Sequence, residues 1–314
     1  MIRLVFFTSV LLLSAPCYTS AQTADVPSSE NGSDTSIELV DPSALEEDKV
    51  RVDSNLKKVG LPASATRKKG ETPSIPKLVN VSHDEKTLLA LKKDESEKSR
   101  KLISEATGYI QGIRLQEGLQ NLLEAERIAG ELFVIHNLRG AAYTKMRDFV
   151  NARASFSAAI KLAPGNFVSK FNLAEIEYVE ANYDQAEKSL TELITLQKDE
   201  WTALENNRNS KKITEDVYLA TKYRLRSTMR LIQLKILICH LKRDQLAKAD
   251  KIMAEFGYLD ETPAYYSAKA AYAFHADDKE EASTWLETIK RVYASNTTQI
   301  FFDALLEAGW LDSI

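Results

Sequence analysis

FVIHNLRGAAYTKMRDFVNARASFSAAIKLAPGN, residues 133–166, is the stretch whose reading decides the fold. Small residues stand at Gly140, Ala152 and Ala159, large ones at Tyr143 and Phe156, and Pro164 closes the segment. That spacing writes two amphipathic helices, each with one apolar stripe. The helices approach closely at the small positions, and Phe156 supplies buried bulk.

The same offsets recur 34 residues to either side. Ala106, Gly140 and Ala174 share the first small slot, where a larger side chain would push the helices of a pair apart. Gly118, Ala152 and Ala186 share the matching slot on the second helix, followed by Leu122, Phe156 and Leu190 and then by Ala125, Ala159 and Leu193. Tyr109 and Tyr143 fill a further slot that Glu177 takes in the third copy, with Tyr178 one residue on. The third copy also has Lys198 where the second has Pro164.

This pattern resembles the tetratricopeptide repeat (TPR). The resemblance is specific over residues 99–132, 133–166 and 167–200, and weaker over 228–294, where Ala249 with Met253 and Ala270 with Ala282 and Leu286 mark two further units. Between them, 201–227 reads as an insertion that extends a helix, turns near Asn206 to Ser210 and starts another near Thr214. Residues 295–314, with Ile300, Phe301, Leu305 and Trp310, read as a C-terminal capping helix. The resemblance implies an all-α, right-handed helical solenoid whose concave groove is lined by the first helix of each pair. Stacking of neighbours buries the face each pair leaves open.

In the TPR family that groove commonly receives a peptide or helix of a protein partner. Carried onto this chain, the groove positions are Ile103, Thr107 and Ile110, then Val134, Asn137, Ala141 and Lys145, then Phe171, Glu175 and Tyr178. One subclass grips the carboxylate of chaperone tails with Lys and Asn side chains. Here Asn137, Ala141 and Val168 stand at those positions, so that mode is not expected. Phe171 and Tyr178 suggest aromatic anchoring of a peptide, or else coverage by another part of the chain. Leu231, Leu234, Ile238 and Leu241 form a stripe too apolar to stay wet. It is covered by the helix from Thr214 or by the C-terminal cap, or it makes a homodimer.

The start, MIRLVFFTSVLLLSAPCYTSAQ, reads as a signal peptide over 1–21, with Arg3, an apolar run from Leu4 to Leu13 and a cut after Ala21. The run falls short of the roughly 20 residues that cross a bilayer. Lipidation of Cys17 fits poorly because Pro16 precedes it. Residues 22–82, rich in Ser, Asp, Glu and Pro, read as a disordered tether with a loosely basic stretch at Lys57, Lys58, Arg67, Lys68 and Lys69. The repeat domain is placed at 83–314, exported to the periplasm or outside the cell. With the signal removed, Cys239 is the only cysteine, so no disulfide staples the fold.

Of 314 residues, 41 are Lys or Arg and 45 Asp or Glu, a formal net charge of -4. No global basic field attracts nucleic acid; salt-sensitive contact through the tether is a minor alternative. His83, His136, His240 and His275 lie far apart, without metal-ligand spacing, and His240 reads as a packed core residue. There is no nucleophile motif and no phosphate-binding Gly-rich loop. Asp94 with Lys98 and Glu97 with Lys101 read as solvated helical ion pairs. Sequons begin at Asn31, Asn80 and Asn296. No metal and no cofactor is expected. The expected role is a non-enzymatic interaction scaffold in a cell envelope, against the alternatives of a self-assembling structural protein and of an enzyme using Glu175 or His136.

Overall fold

The computed structural model describes residues 83–311. The expected signal peptide, the tether, Cys17, Asn31, Asn80 and the last three residues of the cap lie outside them. Among the described residues there are twelve helices and no strand. In chain order they are α1 (His83–Ala90), α2 (Lys93–Gln111), α3 (Leu115–Ala129), α4 (Phe133–Lys145), α5 (Phe149–Leu162) and α6 (Phe167–Val179). There follow α7 (Tyr183–Asn209), α8 (Glu215–Leu241), α9 (Leu246–Met253), α10 (Ala264–His275), α11 (Lys279–Val292) and α12 (Ser295–Glu307). Five pairs, α2/α3, α4/α5, α6/α7, α8/α9 and α10/α11, stack in sequence order, each second helix but the fourth unit's α9 also packing on the first helix of the next unit or on α12.

The slots read from the sequence are the packing contacts. Ala106, Ala174 and Ala270, like Ala152, Ala186, Ala249 and Ala282, have no exposed surface. At Gly140 a Cβ would lie 2.6 Å from the ring of Phe156, and at Gly118 it would lie 2.8 Å from Cγ1 of Ile110. The ring and the isoleucine occupy the space that the missing side chains leave.

The period is also written in the backbone. Ile113, Arg147 and Ala181 have φ of 63°, 59° and 60° at the turns inside the first three units. At each turn the next N–H reaches back five residues, Arg114 to the Tyr109 carbonyl, Asp148 to Tyr143 and Asn182 to Glu177, at 2.8, 2.9 and 2.9 Å. This is the Schellman closure of a helix end, normally built on glycine. The acceptor is a main-chain carbonyl, so Glu177 serves as well as a tyrosine. Asp148 and Asn166 then accept main-chain N–H groups at the starts of α5 and α6.

The expected insertion is two helices prolonged. No proline stands at position 198, so α7 runs on to Asn209, and after a turn at Lys211 the chain returns as α8. Both have 27 residues, about 40 Å at 1.5 Å per residue. Their outer ends form a small core of Leu204, Tyr218 and Leu225 with Trp201 and Ile213. Thr214 caps α8, so the helix expected to start there is the same helix that carries the Leu231 to Leu241 stripe. The charge pairs also differ in register: Lys93 meets Glu97, Lys101 meets Glu105, and Lys98 crosses to Glu124 on α3 at 3.2 Å.

Two changes test this packing. Gly140→Leu forces a side chain into the Phe156 ring and is expected to destabilise the fold by about 1–3 kcal/mol or more in urea melts. Ala181→Gly relieves a left-handed backbone and is expected to raise stability by up to about 1 kcal/mol; a lowered urea midpoint would contradict the turn assignment.

Candidate functional site

The first helices present a common surface, and the chain itself occupies much of it. Helix α12 follows α11 after only Tyr293 and Ala294, both extended, and turns back across α10, α8 and α6. Phe301, Ala304, Leu305 and Ala308 join one cluster with Phe171, Tyr178, Leu231, Leu234, Ile238 and Leu241. The Tyr178 hydroxyl donates to the Ala304 carbonyl at 2.8 Å. Beyond the helix, Trp310 stacks on Phe274 at 6.0 Å, with Lys242 Nζ 4.1 Å from the indole centroid.

An ion cluster lies under this cover. Lys235 Nζ donates to Glu175 Oε2 at 2.9 Å and to Glu307 Oε2 at 2.6 Å, and stands 4.3 Å from the Tyr178 ring. All three charged side chains have no exposed surface. Asp303, one turn before Glu307, is 1% exposed and accepts from Gln299 at 2.9 Å. Burial disfavours the Lys235 charge, yet the attraction of Glu175 and Glu307 prevails and holds its pKa above the ordinary lysine value. Burial pushes the Glu307 carboxyl up to about 8 and raises Glu175 as well, against the pull of Lys235. One ammonium faces several carboxyls, so the cluster retains a proton at neutral pH.

The expected groove residues divide accordingly. Phe171, Glu175 and Tyr178 are sealed beneath α12, the outcome in which the chain covers its own aromatics. Ile103 and Ile110 belong to the core between α2, α3 and α4, and Ala141 packs with Phe149 and Val179. Asn137 is buried as the acceptor of Ser169 and Asn172 on α6, at 2.9 and 3.3 Å. These four are closed to a partner because neighbouring helices of the chain already cover them. Thr107, Val134 and Lys145 keep part of their surface in solvent. The Thr107 hydroxyl is turned to the Ile103 carbonyl, and the Val134 N–H is held by Asp84 at 2.8 Å. Asp84 thus caps α4 from α1.

The Leu231 to Leu241 stripe is buried within one chain, so it offers no surface for the dimer considered above. His240 packs beside Gln245 and Glu187, and burial lowers its pKa. Burial pushes the adjacent Cys239 thiol up to about 12. His136 lies by Glu126, while Glu175 is engaged with Lys235. Among the described residues no group of side chains has the arrangement of a metal site, and no helix is long and apolar enough to cross a membrane.

No protein-family model matches the chain, and no curated protein matches it. A solved structure of Pseudomonas aeruginosa pilF is similar over 67% of this chain and 99% of its own, at 17% identity and a TM-score of 0.35, which carries no argument beyond the comparison itself.

The cluster makes stability depend on pH. The proton on Glu307 is bound by the folded chain and released by the unfolded chain near pH 4.5. Its contribution is therefore fully present below that pH and is lost as pH rises through about 8. Glu307→Gln keeps a neutral partner for Lys235 and is expected to flatten that decline, read as urea midpoints between about pH 5 and pH 8. Phe171→Ala removes a fully buried ring and is expected to cost about 3–5 kcal/mol; a midpoint unchanged from the parent chain would place Phe171 outside the core.

Proposed function

We propose that this chain is a non-enzymatic protein-interaction scaffold that captures a partner segment on the open strip of its first-helix surface. The observation that carries the reading is the chain's use of that surface on itself. Helix α12 is held there by apolar side chains, a tyrosine hydroxyl and an ion pair, the elements of helix-in-groove recognition. The strip is the part of α2 and α4 around Thr107, Val134 and Lys145, which keep part of their surface in solvent.

Residues 1–21 support export, and 22–82 support a tether that leaves the repeats free to reach a partner. The scaffold then acts by holding a protein in place within the cell envelope, with its repeats as a rigid platform.

The test is affinity capture by the full mature chain, comparing it with Thr107→Trp and with Val150→Arg, the latter on the exposed face of α5. A partner retained by the parent and by Val150→Arg but lost with Thr107→Trp, all three equally folded, is the expected result. Capture that ignores Thr107→Trp would sink the strip as the binding surface.

A further inference from the structure

The residue that replaces the helix-ending proline also lines a cleft. Lys198 stands where the second copy has Pro164, and it borders a cavity of about 400 Å³ between α7 and α8, where the prolonged helices leave the repeats. Lys198, Trp201 and Thr202 line it from α7, and Arg226, Met229 and Arg230 from α8. Three of the six are cations and none is an acid. The volume lies within the range of about 300–1,000 Å³ that holds small ligands.

The two arginines are anchored, yet keep N–H groups to give. Arg226 donates through Nη1 to Glu261 at 3.0 Å, and Arg230 lies with Nε 2.7 Å from Asp260 and gives Nη1 to Gln233 at 3.0 Å. Nη2 of each donates no hydrogen bond among the described residues. Asp260 and Glu261, on the connection from α9 to α10, answer the arginines and leave Lys198 uncompensated. Its exposed ammonium makes no ion pair and no hydrogen bond among the described residues. Trp201 and Met229 are half-buried and supply an apolar wall. The indole N–H of Trp201 has no acceptor among the described residues. Gln197, one turn ahead of Trp201 on the same face of α7, has no exposed surface, and neither atom of its amide finds a hydrogen-bond partner. A buried amide left so is costly unless something supplies its bonds.

We propose that this cleft is a binding site for a small organic anion that joins a carboxylate or phosphate head to an apolar ring. Lys198, Arg226 and Arg230 receive the head, and Trp201 and Met229 pack the ring. An arginine already held by Asp260 or Glu261 loses little freedom when the anion arrives. The site is built on α7 and α8 and does not depend on the strip around Thr107, Val134 and Lys145.

The experiment titrates the ¹⁵N-labelled full mature chain with phenylacetate, with phenyl phosphate and with the uncharged 2-phenylethanol. It reads the indole N–H signals of the 3 tryptophans, that of Trp201 being identified by Trp201→Phe. The expected result is a saturable shift of the Trp201 signal with at least one of the two anions and none with 2-phenylethanol. Affinity falls roughly tenfold or more with Lys198→Glu and with Arg226→Gln, and it weakens as salt rises. The anion that binds more tightly names the head. No saturable shift with either anion, equal binding of 2-phenylethanol, or affinities indifferent to both variants overturns the proposal. Both substituted side chains reach solvent, and unchanged signals of Trp285 and Trp310 check that the variants keep the parent fold.

Discussion

The fold depends on one steric constraint, the absence of a side chain where two helices of a unit meet. Gly140 and Phe156 state it most sharply, since the phenyl ring occupies the volume a Cβ would need. The alanines at the corresponding positions do the same with a single methyl and no exposed surface. Once helix pairs can approach this closely, the rest follows from cover. Each pair shows an apolar face to its neighbour, and the stack ends only where something else supplies a lid.

That lid is α12, held by apolar side chains, a tyrosine hydroxyl and a buried ion cluster. Apolar burial accounts for most of the attraction. The Lys235, Glu175 and Glu307 cluster contributes less to net stability than its short distances suggest, because an ammonium and two carboxyl groups, one of them keeping its proton, lost their water to form it. Its effect is on register. A helix slipped by one residue would place Glu307 away from Lys235 and leave charge unpaired in the core, an outcome costly enough to select a single docking. The Tyr178 bond to the Ala304 carbonyl fixes the same register from α6.

Much of this was legible in the sequence and some was not, for physical reasons. The slots were legible because each is a local requirement repeated at a fixed period, which a single chain displays against itself. The exchange of Pro164 for Lys198 marked where a second helix fails to stop, and residues 201–227 read as a helix extension, a turn and a new start near Thr214; calling them an insertion hid that they are the outer halves of α7 and α8. Terminal cover was legible from Phe301 and Leu305; its path across three first helices was not, since periodicity carries no information about partners 126 residues apart such as Tyr178 and Ala304. Lys235, a lone cation in LIQLKILICHL, was the available signal for a buried ion pair. Its partners sit 60 and 72 residues away, beyond any pattern rule. Glu175 and Phe171 were read onto the groove face of their helix, but a face alone does not say whether solvent, a partner or the chain itself meets it.

The separation along the chain between α12 and the helices it covers has a consequence for folding. The first two units are closed by contacts between neighbours and by Asp84 from α1, so they can form as soon as they are synthesised. The third and fourth units wait for residues near position 305 before Phe171, Leu234 and Lys235 are covered. Long sequence separation slows such closure. Until it happens, a growing chain displays a broad apolar surface with a bare ammonium at its centre. The interval between synthesis of α6 and docking of α12 is therefore the period in which this protein is most exposed to aggregation and most dependent on chaperones.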